Sequence, residues 1–303
     1  MKKLVLLFGL LLAYYSGLAQ DIPQRQLEIA HDNDFFLTTD RYYSSGLFLT
    51  YRRIPKKGLF SEEGEQFSFR LGQQVYTPSD VMSRDTVDYD RPYAGLSGLW
   101  ATWSKADQNQ LLEGRALLGR TGPSSRAGSF QRWYHNNIVI YLVPAWEAEI
   151  ADAWQANLYV RYLREWKLAP NPFGVRIALS GEAAWGSLEE YIQPEVAVYL
   201  GRRGDLNTSI GHQRLGSLER EIFMVLRGSY RRLGHNSLIE GNRGNSDSPF
   251  TTEALRGVWQ FGFDFNHRYG RNDYKVVYRI IGKETPDQSR FHQYIGLAYA
   301  LAF

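Results

Sequence analysis

The chain has 303 residues, with 35 Lys and Arg against 32 Asp and Glu, six His and no Cys. A formal charge of only +3 gives nucleic acid no bulk electrostatic hold, and without cysteine there is neither a disulfide framework nor thiol chemistry. Aromatic residues reach 15% and tyrosine alone numbers 20, a share that the fold has to explain.

Met1-Lys2-Lys3, the apolar run from Leu4 to Tyr15 and the small-residue site Gly17-Leu18-Ala19 read as a secretory signal, residues 1–19, cut after Ala19. The run is shorter than the roughly 20 residues of a spanning helix. Cleavage removes Lys2 and Lys3, so the charge of the exported chain falls from +3 to about +1. Residues 20–303 show no repeat, linker or helix-length apolar stretch, which makes them one domain.

What they do show is period-two alternation. Phe67, Phe69 and Leu71 alternate with Ser68, Arg70 and Gly72. Trp154, Ala156, Leu158, Val160 and Tyr162 alternate with Gln155, Asn157, Tyr159 and Arg161. Twelve strands are expected near 24–32, 42–53, 65–76, 92–105, 110–121, 154–166, 174–187, 192–202, 220–231, 253–268, 273–283 and 293–303. In the last, Ile295, Leu297, Tyr299, Leu301 and Phe303 form an oily face opposite Gly296, Ala298, Ala300 and Ala302. A soluble sandwich also alternates. The export signal and a closing strand that ends on an aromatic residue favour an all-β, transmembrane antiparallel β-barrel, with aromatic girdles accounting for the tyrosine.

With both termini in the periplasm, odd-numbered connections face outside. Short turns such as Pro55–Gly58, Ala106–Asn109 and Gly270–Asn272 then fall on the periplasmic side. So does a long connection from Arg202 to Leu218. Arg52-Arg53 and Arg202-Arg203 read as interface anchors. The outer rim gathers His31-Asp-Asn-Asp34, Asp88 to Gly95, and Gly122 to His135, and such a set of carboxylates, arginine and histidine at the outer leaflet suits chemistry on a surface lipid. Any one of these clusters alone is equally a solvated rim. Gly128 to Asn137 suits a short helix in an extracellular loop, with Gln131 and His135 on one face at i and i+4. His235-Asn-Ser237 invites a serine-hydrolase reading, but no nucleophile elbow surrounds Ser237.

His31-Asp-Asn-Asp-Phe35 followed by Thr39-Asp-Arg-Tyr-Tyr-Ser-Ser-Gly46 resembles the opening of the outer-membrane lipid A 3-O-deacylase family. So do Asp90-Arg-Pro-Tyr-Ala-Gly95, Gly122-Pro-Ser124 with Gln131 and His135, Asn236 to Gly241, and the closing Tyr294 to Phe303. The resemblance implies a twelve-stranded barrel that hydrolyses an ester-linked acyl chain of lipid A, with Ca2+ as cofactor and a histidine that activates water. His135 is then the general base, Asn33 and Asp34 build the calcium and carbonyl site, and Arg91 stands near the substrate's phosphate or the developing charge. The implied partners are lipopolysaccharide of the outer leaflet and the outer membrane of a Gram-negative bacterium; no nucleic acid is implied, and a monomer is expected.

One stretch departs from the family pattern. Glu149 stands where the family tends to have glutamine, and Ala153 where it has glutamate, so Glu149 is expected to supply the missing charge. The departure leaves open a passive pore or adhesin on an old enzyme scaffold, and a phospholipid esterase is a third reading.

Overall fold

The computed structural model describes residues 22–34, 41–61, 63–139, 143–244 and 247–303; the signal segment lies outside them. Twelve strands, β1 (Arg25–Asn33), β2 (Tyr42–Arg53), β3 (Glu65–Thr77), β4 (Ala94–Ala106), β5 (Gln110–Thr121), β6 (Ala153–Ala169), β7 (Val175–Gly186), β8 (Glu189–Arg202), β9 (Glu221–Asn236), β10 (Gly257–Tyr269), β11 (Asn272–Ile281) and β12 (His292–Ala302), each pair antiparallel with their sequence neighbours. β1 closes the sheet on β12, with Leu27 opposite Leu301 and His31 opposite Leu297. Every strand therefore has two partners, and the barrel has no free edge. No helix among the described residues is long and apolar enough to cross a membrane.

Alternation sorts the side chains as the sequence requires. Leu27, Ile29, Leu47, Leu49, Leu71 and Leu297 are exposed on the outer wall, while Gln26, Glu28, Arg52 and Ala300 are buried on the inner one. The lumen is polar and ion-paired: Arg52 meets Glu28 at 2.9 Å, Arg176 meets Glu165 at 3.0 Å and Arg227 meets Asp264 at 2.7 Å. Pairing is what makes so many charges tolerable away from bulk water. A cavity of about 540 Å³ remains at its centre.

Both mouths are narrowed from within. At the end that carries the chain termini, residues 203–220 do not lie out as the long connection expected there. They fold into the barrel, where Leu206 and Ile210 join Leu111, Leu163, Tyr199 and Phe223, and Arg214 donates to Ser104 Oγ and to the Gly64 carbonyl, each at 2.7 Å. The arginine pairs are likewise not anchors as pairs. Alternation splits each one, so that Arg53 and Arg202 are exposed while Arg52 and Arg203 are buried against Glu28 and Glu165. At the far end the short helix α2 (Ser237–Glu240) inserts Leu238 and Ile239 among Leu96, Leu117, Tyr159 and Tyr191. Ala254 joins the same cluster, which is why β10 starts at Gly257 rather than near 253.

The helix α1 (Ala127–Tyr134) lies outside the barrel, against the outer wall at the far end. The Ser125 carbonyl just before it accepts from Gln73 Nε2 and Ser97 Oγ, each at 2.7 Å, both from outward positions of β3 and β4. Gly95 leaves the room: a Cβ there would stand 2.2 Å from Ala127 Cβ and from Ser125 Oγ. After Tyr134 the helix widens into a π turn, His135–Val139.

Candidate active site

The site is the seam between α1 and the wall formed by β1 and β2. Asn33 is the last residue of β1 and points outward with Ile29 and His31. Asp34 lies just beyond the ladder, its N–H on the Ser44 carbonyl at 3.3 Å. Two adjacent residues of a regular strand would face opposite sides, so the end of the strand is what lets them share a site. Asp34 Oδ2 accepts from the Arg41 N–H at 2.8 Å, which ties the end of β1 to the start of β2. β2 starts with a bulge between Tyr43 and Ser45, and Tyr42 before it adopts a left-handed φ of 65°. The bulge inserts Ser44 between Tyr43 and Ser45, which face Tyr76 and Val75 on β3, and turns it toward α1.

From above, α1 supplies Gln131 and His135, one turn apart. Gln131 Nε2 is 3.1 Å from His135 Nε2 and 3.5 Å from Ser44 Oγ. Asn33, Asp34, Ser44, Gln131 and His135 are all at most 5% exposed. Gln131 Oε1 is a buried carbonyl oxygen with no hydrogen-bond partner among the described residues. The cluster thus offers one carboxylate, two amide oxygens, a hydroxyl and an imidazole. Among the described residues no three His, Cys, Asp or Glu side chains form a metal-holding group, so any cation here depends on neutral oxygens beside Asp34.

The other expected residues stand elsewhere. The structure does not bring Arg91 into the seam: its guanidinium lies over the inward-facing Tyr76 ring at 4.7 Å, pairs with Glu284 at 3.2 Å and is 1% exposed. Asp90–Tyr93 precedes β4, so strand alternation could not predict that side. Glu149 accepts from Trp146 Nε1 at 2.8 Å, and Trp146 in turn lies against Gly128 of α1. Burial pushes the Glu149 carboxyl up to about 7, against the pull of that hydrogen bond. Ala153 opens β6 opposite Thr121 and shares the inward parity of Gln155, so a glutamate there would face the lumen rather than His135.

The Ser237 group is better ordered than its sequence suggested. His235 Nε2 is 3.1 Å from Ser237 Oγ, and His235 Nδ1 is 3.2 Å from Glu240 Oε2. Yet Ser237 is fully buried and its hydroxyl donates to the Ser187 carbonyl at 2.6 Å. It holds α2 in the barrel mouth and offers no accessible nucleophile.

The family described as "Outer membrane protein LpxR" matches residues 4–303. The chain belongs to it. Its place is accordingly the outer membrane, in the family of lipid A deacylases that its motifs resemble. Among solved structures, LpxR from Salmonella typhimurium superposes with a TM-score of 0.78 at 17% identity, over 92% of this chain and 100% of that one. The β domain of the Bordetella autotransporter BrkA (TM-score 0.41, 10% identity, 93% and 100% covered) and the KdgM porin (0.41, 8%, 92% and 99%) are also similar. No curated protein sequence matches. For an LpxR-family barrel, the residue that sequence reasoning left out of the site is Ser44. Its only signal was its place in the Tyr42-Tyr43-Ser44-Ser45-Gly46 motif, because a bulge leaves no trace in periodicity.

Proposed function

We propose that the seam beneath α1 hydrolyses an ester-linked acyl chain of lipid A, with water as nucleophile, His135 as general base and calcium held by Asp34 and Asn33. The barrel acts as a monomer, with the far end at the cell surface. The observation that carries this reading is that Ser44, Gln131 and His135 meet in one buried seam on the lipid-facing wall, over the end of β1 where Asn33 and Asp34 are also buried and the Asp34 N–H reaches the Ser44 carbonyl. A soluble-substrate enzyme gains nothing from a site placed there, whereas a membrane lipid reaches it without leaving the bilayer.

The Gln131 amide N–H directed at His135 Nε2 favours the neutral tautomer that carries its proton on Nδ1. In that form Nε2 has the lone pair a base requires, and a water entering between the two side chains would take over the hydrogen bond. His135 removes a proton as the water oxygen joins the acyl carbon. The same proton passes to the sugar oxygen as the ester C–O bond breaks, leaving a fatty acid and a free hydroxyl.

The donors fit calcium in kind. Asp34, Asn33 and Ser44 are hard oxygen ligands, and Gln131 Oε1 lacks a partner among the described residues. Calcium held there would polarise the ester carbonyl. A single carboxylate implies a weak hold, readily reversed by chelation.

Mass spectrometry of lipid A from cells with and without the gene, beside a phospholipid profile, tests the substrate. Loss of one ester-linked chain from lipid A alone is expected; unchanged lipid A would sink the reading, and a phospholipid change in its place would select the esterase. With purified protein, chelator should stop release and calcium should restore it, but not in Asp34→Ala. Full activity in excess chelator would overturn the metal's role.

A further inference from the structure

The Tyr43-Ser-Ser-Gly46 and Tyr294-Ile-Gly296 motifs meet on the lumen side of the wall, directly behind the seam. Between them stands Asp32, whose register partners are Gly46 on β2 and Gly296 on β12. The Tyr43 hydroxyl donates to Asp32 Oδ2 at 2.9 Å, and the carboxylate interacts with the charges of Arg70 and Arg279. Both glycines make room for this pair: a Cβ at Gly46 would overlap the Tyr43 hydroxyl, and one at Gly296 the Asp32 carboxylate.

The bond bears on the seam through strand parity. Leu47 and Leu49 are exposed on the outer wall, so on a regular β2 Tyr43 would also face outward and Ser44 would face the lumen. The bulge reverses both. Tyr43 turned inward and Ser44 turned outward are thus one conformation of the chain, and a hydrogen bond that stabilises the first stabilises the second. Acceptance by a carboxylate makes it a strong bond. It adds to the packing of the Tyr43 ring against Tyr76 and Tyr294, at 5.2 and 4.8 Å.

We infer that the Asp32–Tyr43 bond holds Ser44 in the seam, so that Asp32 and Tyr43 are positioning residues for a site on the opposite face of the wall. The inference rests on the deacylase reading, with Ser44 among its oxygen ligands. Loss of one such bond should loosen the hold on Ser44 by about tenfold.

The test is a double-mutant cycle on the purified full-length barrel, with lipid A in mixed micelles as substrate and calcium binding followed separately by titration calorimetry. Tyr43→Phe keeps the ring among its aromatic neighbours and removes only the hydroxyl. It should weaken calcium binding about tenfold and lower kcat/KM at subsaturating calcium to the same extent, with heat-modifiability unchanged. In a Ser44→Ala background it should change neither quantity further, because no hydroxyl is left to position. Gly296→Ala, which displaces the Asp32 carboxylate from the β12 side, should match Tyr43→Phe and add nothing to it. Wild-type binding and rate in Tyr43→Phe, a silent Ser44→Ala, or losses that simply add in the double variant would each overturn the inference and leave the deacylase reading intact. Absence of acyl release by the wild type would overturn both.

Discussion

At the scale of single residues, the decisive group is His135, which α1 holds one turn from Gln131 and over the end of β1. His135→Ala should slow acyl release by about two to four orders of magnitude and leave the heat-modifiable barrel intact. Near-normal release would remove His135 from the mechanism. Glu149 makes a prediction about pH. Its carboxyl is pushed up to about 7 in the folded chain, against 4.5 for a glutamate surrounded by water, because burial disfavours the charge. Between those values the folded state binds a proton that the unfolded state has released, so stability falls as pH rises through the window. Hydrogen exchange across residues 143–152, corrected for intrinsic rates, should therefore quicken from about pH 5 to about pH 8 relative to Glu149→Gln. Equal behaviour of the two proteins would show that the carboxyl is not held out of water.

At the scale of elements, His135, the base of the proposed reaction, is only as well placed as α1, and α1 rests on a glycine. In Gly95→Val a side chain would occupy the space of Ala127 and Ser125, so the start of the helix must lift. The change is on the outer wall at one strand end, and the barrel ladder does not depend on it. Activity should fall by about tenfold or more through kcat while fractionation and heat-modifiability stay as in the wild type. A Gly95→Val protein with normal kcat would mean that α1 adjusts freely and does not position His135. The same element exposes the limit of periodicity. The alternation along β1 was legible and put His31 and Asn33 on the outer face, but the bulge at Ser44 and the lumenal turn of Arg91 both occur where the ladder is interrupted. There the chain has no period to read.

At the scale of the whole molecule, the segment 203–220 and α2 narrow the two mouths from inside, and the polar lumen between them is spanned by ion pairs. A barrel built in this way is a scaffold for its outer wall. Reconstituted in planar bilayers it should pass little or no current, and replacing residues 206–215 by a short glycine linker should open it. Steady conductance of the intact protein would revive the passive-pore reading.

The sequence by itself determined the twelve strands, their order and which face of each meets lipid, because those follow from a period of two that every barrel strand must keep. It also carried the motif residues that proved to be neighbours: Asn33 and Asp34 at one strand end, and Gln131 and His135 on one helix face. Only the tertiary structure decided that α1 lies outside the wall rather than in the lumen, that Arg91 is spent on Glu284, that Ala153 faces away from His135, and that a loop which alternation could not describe fills the barrel mouth. The physical reason is the same in each case. Alternation is a local rule enforced by the pleat, whereas the packing of a loop is chosen by whichever partners the closed barrel brings within reach, and those lie far away along the chain.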